Sequence, residues 1–311
     1  MTVHGSVLQT AAGVTAHRNG ERESTAVTVQ LLRTPVPNET RAPEQLWEQY
    51  LVEKDLATML RRATKAERGQ LYSFVYEELF RRVAHHPQLT NKVSPAQRAL
   101  GISPQTALLR PWLTPQTRFL EVGAGDCALS LALAEKVAHI YALDVSAAIT
   151  QTATRPENFT LVLSDGTSIP VPEGHITVAY SNQLMEHLHP DDALDQLANI
   201  YRALAPDGVY ICLTPNRLTG PHDISRYFDT VATGFHLKEY TCTELIAMLR
   251  SVGFRTVHQC FRKGSTYVRV PGALARCAEW MIERLPPRLQ KRASSTRLVR
   301  GLLEIRLIAR K

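Results

Sequence analysis

Residues 119–134 read FLEVGAGDCALSLALA, and no other stretch of the 311-residue chain narrows the fold as much. An apolar run leads into two glycines one residue apart, and apolar residues at helical spacing follow. Gly123 and Gly125 allow a tight turn and a close backbone approach to a ligand, which a Cβ would obstruct. The helix start behind them presents free N–H groups to a polar or anionic group. The same alternation continues downstream. Strand-like runs at 118–122, 139–143, 159–163, 176–180 and 209–213 alternate with helical patterns at 128–137, 191–204 and 240–252. Strands separated by helices predict a parallel sheet covered on both faces.

Around this core the chain divides by composition. Residues 1–40 are polar, Thr-rich and aperiodic, and read as a disordered tail. Residues 41–116 read as a helical cap, with Gly69 separating two helices in the 44–82 pattern and a further helix at 95–109. Residues 117–263 and 302–311 form the core, and 264–301 a basic amphipathic insert. From Gly264 to Lys311 there are eleven Lys+Arg against three Asp+Glu, whereas the chain as a whole carries +7. The body is therefore neutral, which argues against a broad nucleic-acid surface. Within 273–292, apolar residues recur at helical spacing with Arg and Lys between them. Packing against the sheet edge is one reading, and a weak contact with an anionic membrane is the other. Five scattered cysteines, no CxxC spacing, no secretory signal and no long apolar run are the expectation for a cytoplasmic protein.

Asp144 ends the second strand, 19 residues after Gly125, where an acid can accept hydrogen bonds from ribose hydroxyls. The glycine turn by itself also fits a dinucleotide fingerprint. Taken together, four segments resemble the class I S-adenosylmethionine-dependent methyltransferases. Glu121-x-Gly123-x-Gly125 is similar to the family's first motif, although Cys127 stands where a third glycine is common. Asp144 matches the ribose-binding acid. Ser164-Asp165-Gly166 matches the segment that meets adenine. Ser181 to Leu188 resembles the small-molecule pattern ending in Glu-His-Leu. The resemblance implies an α/β Rossmann-like fold, with a seven-stranded, mostly parallel sheet closed by an antiparallel hairpin of 254–262 and 302–311. It implies S-adenosylmethionine as cofactor, held by Glu121, Gly123, Gly125, Asp144, Asp165, Gly166 and Asn182. An NAD-dependent oxidoreductase and a non-catalytic S-adenosylmethionine-binding protein are the alternatives.

Sulfonium methyl transfer needs alignment, and a base only where the nucleophile must lose a proton. Glu186, His187 and His236 lie on segments that follow the strands and are the catalytic candidates. His189, His222 and Asp223 are nearby in sequence. The spacing of His187 and His189 lacks a metal-ligand pattern, so no metal is expected. Ser181-Asn182-Gln183-Leu184 lacks the Asn/Asp-Pro-Pro-aromatic turn of nucleic-acid amino methylases, and no Cys beside a Pro is present there. A small molecule, or a lipid- or sugar-linked intermediate, is the expected acceptor, methylated on O, N or C. Tyr50, Tyr72, Tyr76 and Phe80 are candidate wall residues of its pocket.

Overall fold

The computed structural model describes residues 14–15, 28–36, 39–90, 95–146, 155–264 and 266–311. Its centre is an eight-stranded sheet. In chain order the strands are β1 (Arg118–Val122), β2 (His139–Asp144), β3 (Phe159–Leu163), β4 (Ile176–Asn182), β5 (Leu204–Thr214), β6 (Thr256–Lys263), β7 (Thr266–Val270) and β8 (Ile305–Arg310). Across the sheet the order is β3-β2-β1-β4-β5-β8-β6-β7. The first five strands pair in parallel, while β8 lies antiparallel between β5 and β6. The order turns around at β1 and β4, and a ligand crevice opens beyond the carboxyl ends of strands at such a point.

The sheet has one strand more than the seven expected. β7 hairpins onto β6 and uses the first residues of the stretch read as an insert. The rest of that stretch is helical: α7 (Gly272–Glu283), α8 (Pro287–Ser295) and α9 (Arg297–Leu303). Ala275 joins the main core, and Ala278 and Ile282 pack with Leu303. Leu274, Trp280, Met281 and Leu289 stay exposed.

The amino-terminal helices are α1 (Pro43–Arg62), α2 (Lys65–Arg82) and α3 (Pro95–Leu109). Thr64, not Gly69, divides the first two. Its side chain accepts the Glu67 N–H while Glu67 reaches back to the Thr64 N–H, a reciprocal cap. Gly69 sits inside α2. The helices also separate in space. Val52, Leu56, Leu60, Val75 and Leu79 pack on one sheet face together with α5 (Pro190–Ala203) and α6 (Cys242–Val252). Leu108 and Leu109 of α3 pack on the other face with Leu129 and Leu133 of α4 (Ala128–Leu133). Among the described residues of these three helices, those lining the crevice come from α1 and α2 and none from α3, so the cap read as one unit is two.

Arg68 of α2 fastens the cap to the core. Its Nε and a terminal nitrogen donate to both Asp192 oxygens, at 2.6 and 2.8 Å, and the Tyr72 hydroxyl donates to the same carboxylate at 2.7 Å. Both ionic side chains are at most 4% exposed. Much of the expected tail lies outside the described residues. Within 28–36, the Leu32 N–H donates to the Tyr227 carbonyl and Arg33 to that of Gly220, which ties this segment to the body.

Candidate active site

Between the strand ends and α1–α2 lies a cavity of about 530 Å³, within the range of small-molecule sites. Its floor is the glycine turn. Gly123 (φ +74°) and Gly125 (φ +52°) occupy the left-handed region. A Cβ at Gly123 would stand 3.1 Å from the Leu184 side chain, whereas the space beside Gly125 is open. Asp144 Oδ2 accepts the Gly125 N–H at 2.8 Å and Oδ1 the Ser146 N–H at 2.9 Å. Burial raises the Asp144 pKa against these bonds. Gly123, Gly125, Asp144, Gly166 and Asn182 all line the cavity.

Two expected cofactor residues are hydrogen-bonded within the protein itself. Glu121 is buried, and its Oε2 accepts the Ser130 N–H and hydroxyl at 3.1 and 2.5 Å. It therefore braces α4 from beneath, and burial pushes its pKa to about 8. Asp165 turns into its own loop, accepting from the backbone and hydroxyls of Thr167 and Ser168. Burial would raise its pKa, but these bonds outweigh it and hold the carboxyl below its ordinary value.

The opposite wall is built from distant segments. Glu186 and His187 form a single turn after β4, and His236 lies ahead of α6. The Lys238 N–H donates to the Glu186 carbonyl at 3.2 Å and holds the two segments together. One ligand atom from each of the three side chains falls within 4.8 Å of the others. The His187 Nδ1–H donates to the Phe235 carbonyl at 3.1 Å. Burial, then the neighbouring His236, push its pKa down to about 3, so it is neutral. Burial would lower His236 too, but the 2.7 Å bond from its Nδ1 to Glu239 and the charges of Glu186 and Asp223 raise it above its ordinary value. His189 is not part of this group. It caps α5, its Nδ1 accepting the Asp191 N–H. His222 lines the cavity, with its ring nitrogen on Thr219 Oγ1 at 2.9 Å.

Glu53 of α1 also lines the cavity, and no motif points to it. It is buried, accepts from Gln49 Nε2 at 2.5 Å and from the Phe235 N–H at 3.3 Å, and burial carries its pKa to about 7. A signal did exist. Gln49, Glu53, Leu56 and Leu60 recur at helical spacing, which puts two polar residues on the buried face. Tyr72 and Tyr76 line the cavity as expected. Tyr50 instead packs with Phe228 and Trp47, and Phe80 packs against His86 and Tyr76. His86, Arg41 and Asp223 complete the polar wall.

A family model described as a methyltransferase domain matches residues 87–259. The chain belongs to this methyltransferase-domain family. A probable S-adenosylmethionine-dependent methyltransferase of Mycolicibacterium smegmatis is 28% identical over 136 residues, 43% of this chain and 51% of that protein. One of Mycobacterium tuberculosis is 27% identical over 142 residues, 45% of this chain and 50% of its own. The chain thus spans about half the length of the curated relatives it matches. Among solved structures, a SAM-dependent methyltransferase of Archaeoglobus fulgidus aligns with 77% of this chain and 100% of its own, at TM-score 0.47 and 20% identity.

Proposed function

We propose that this protein transfers a methyl group from S-adenosylmethionine to a hydroxyl of a small polar acceptor. One observation carries the reading: a single cavity has a glycine-and-Asp144 wall facing a wall of Glu53, His187, Asp223 and His236. The first wall fits the donor. Asp144 offers carboxylate oxygens to a ribose, and the open side of Gly125 leaves space that a Cβ would take. Bound S-adenosylmethionine supplies an already activated sulfonium methyl.

The second wall meets the acceptor. A hydroxyl sheds its proton as its oxygen is methylated, and a base with a pKa near the working pH takes it best. Glu53, carried to about 7 by burial, is that base. Arg41, Gln49 and Asp223 offer donors and acceptors that suit a hydroxyl-rich molecule. Such an arrangement also disfavours an apolar acceptor, because buried polar groups left unpaired are costly.

Thermal unfolding with S-adenosylhomocysteine, followed by label transfer from methyl-labelled S-adenosylmethionine into fractions of polar metabolites, tests the assignment. Stabilisation and label in a hydroxyl-bearing compound are expected. Stabilisation by NADH alone would return the glycine turn to the oxidoreductase reading, and stabilisation without transfer to any fraction would favour the non-catalytic one.

No helix among the described residues is long and apolar enough to cross a membrane. The outer side of α7 and α8 supports a weaker contact with an anionic membrane. There Leu274, Trp280, Met281 and Leu289 are each more than half exposed, and Arg284 lies 3.8 Å over the Trp280 ring. Flotation should require anionic vesicles and should be lost when Arg288, Lys291 and Arg292 become Glu. Equal flotation on neutral vesicles would remove the contact.

A further inference from the structure

The geometry points to a divalent-cation site formed by Glu186, His187 and His236 at the acceptor end of the cavity. It rests on the methyl-transfer reading for its role, because the ion's free position would receive the acceptor hydroxyl oxygen. Its existence as a site rests on four observations.

First, the three side chains bring one ligand atom each within 4.8 Å of the others. Ligand atoms around one first-row ion, bonded at about 2.0–2.2 Å, stand roughly 3–4 Å apart, so small side-chain rotations gather them.

Second, every member is held by a partner at its far atom. Thr214 Oγ1–H donates to Glu186 Oε2 at 2.7 Å, His187 Nδ1–H donates to the Phe235 carbonyl, and His236 Nδ1–H donates to Glu239. Metal-bound histidines nearly always give their other ring N–H to a carbonyl or carboxylate, which fixes the tautomer and aims the remaining lone pair. Both imidazoles hold Nδ1 in that way here, so Nε2 is the nitrogen that would bind, the ion displacing any proton on it.

Third, Glu186 is 0% exposed, and its Oε1 has no hydrogen-bond partner among the described residues. A buried carboxylate oxygen without a donor calls for one, and a cation between it and the two Nε2 atoms satisfies all three.

Fourth, the support beneath His236 is tightly built. Glu239 Oε1 also accepts the His222 N–H at 2.7 Å, and a Cβ at Gly220 would collide with Glu239 Oε2.

Two imidazoles and one carboxylate select a borderline ion, Zn²⁺ or its neighbours from Mn²⁺ to Ni²⁺, over Ca²⁺ and Mg²⁺, which prefer oxygen shells. Three protein ligands leave at least one position open, as in catalytic rather than structural sites. His187 and His236 both border the cavity, so that position is reached from the acceptor side.

The test uses the full chain, freed of metal by chelator and titrated with Co²⁺ and Zn²⁺. One Co²⁺ per chain is expected, with visible d–d absorption that Zn²⁺ displaces. Glu186→Gln or His236→Gln should weaken Co²⁺ binding at least 100-fold, and Glu239→Gln, which touches no ion, about 10–100-fold. S-adenosylhomocysteine affinity, measured on the same samples, reports both folding and the donor wall. Absence of stoichiometric Co²⁺ binding while S-adenosylhomocysteine still binds would overturn the metal site alone. A Co²⁺ spectrum unaffected by the three substitutions would place any bound ion elsewhere and overturn it equally. Site-specific Co²⁺ binding with no affinity for S-adenosylhomocysteine would uphold the site and overturn the methyl-transfer reading instead.

Discussion

The two walls of the cavity are built by opposite strategies. The donor wall comes from a continuous stretch, β1, the Gly123–Gly125 turn, α4 and β2, with Asp144 hydrogen-bonded straight back to the turn. The acceptor wall draws Gln49 and Glu53 from α1, His187 from the turn after β4, Asp223 from a connecting loop and His236 from ahead of α6, with Glu186 buried behind it. Local construction makes the first wall rigid and generic. Assembly from remote segments lets the second wall change without disturbing the sheet, so the proposed methyl transfer would draw its specificity from there.

The sharpest way to break this contrast is at Glu53. Glu53→Gln keeps the shape and removes the base, so turnover should fall by roughly 10²–10⁴-fold while S-adenosylhomocysteine affinity, measured by calorimetry, stays near wild type. In the parent protein turnover should climb as the pH passes about 7, because only the ionised carboxylate accepts a proton. The variant should lose that rise. Equal losses in affinity and turnover would merge the two walls into one functional unit.

Next in size is the fastening between cap and core. Asp192→Ala leaves the Arg68 guanidinium buried without its carboxylate. Stability to denaturant should fall by about 3–5 kcal/mol, as when one partner of a buried pair is removed. A loss below about 1 kcal/mol would mean that the cap detaches easily and the acceptor wall assembles only on binding.

The donor wall can be probed with two aspartates that sequence treats alike. Asp144→Ala should weaken S-adenosylhomocysteine by about 1.5–3 kcal/mol. Asp165→Ala should change it by less than about 0.5 kcal/mol, because its oxygens are engaged within the Thr167–Ser168 loop. Calorimetry showing equal losses would restore Asp165 to the adenine edge.

The last probe, beneath the donor wall, reads pH dependence at Glu121. Its folded pKa of about 8 lies above the unfolded carboxylate value, so the folded state holds the proton more tightly. The resulting stabilisation is complete at low pH and fades as the pH rises toward about 8, since unfolding then releases a proton. Glu121→Gln should flatten the fall in melting temperature between pH 5 and 8. An unchanged slope would show that Glu121 is ionised throughout.

What could be read from the chain follows the same division. Alternating strands and helices, the glycine turn and Asp144 are short-range patterns, and the folded chain keeps them. Glu121 falls in β1 and Asp165 just after β3, as their spacing predicts, but the bonds their carboxylates make to Ser130, Thr167 and Ser168 are not encoded in any local motif. Gly69 suggests a helix break in sequence, although Thr64 and Glu67 carry the capping signature. Glycine is tolerated inside a helix, whereas a reciprocal cap starts one. The additional strand β7 is hard to read because Thr266–Val270 is short and partly exposed, at the sheet edge beside β6. His236 meets Glu186 only after β5 and a long connection fold between them, and no local spacing encodes that.

Tyr72 and Gly166 press on each other across the boundary between the cap and the core. A Cβ at Gly166 would stand 2.7 Å from the tyrosine ring, and the backbone there has φ +93°. The two positions cannot drift independently through evolution. Any descendant that acquires a side chain at 166 has to shrink residue 72 first. That change removes the hydroxyl which now donates to Asp192 and receives the His189 N–H. A lineage changing its acceptor by reshaping the cap would therefore carry paired exchanges at 72 and 166, with compensation at 192, as a readable trace of that history.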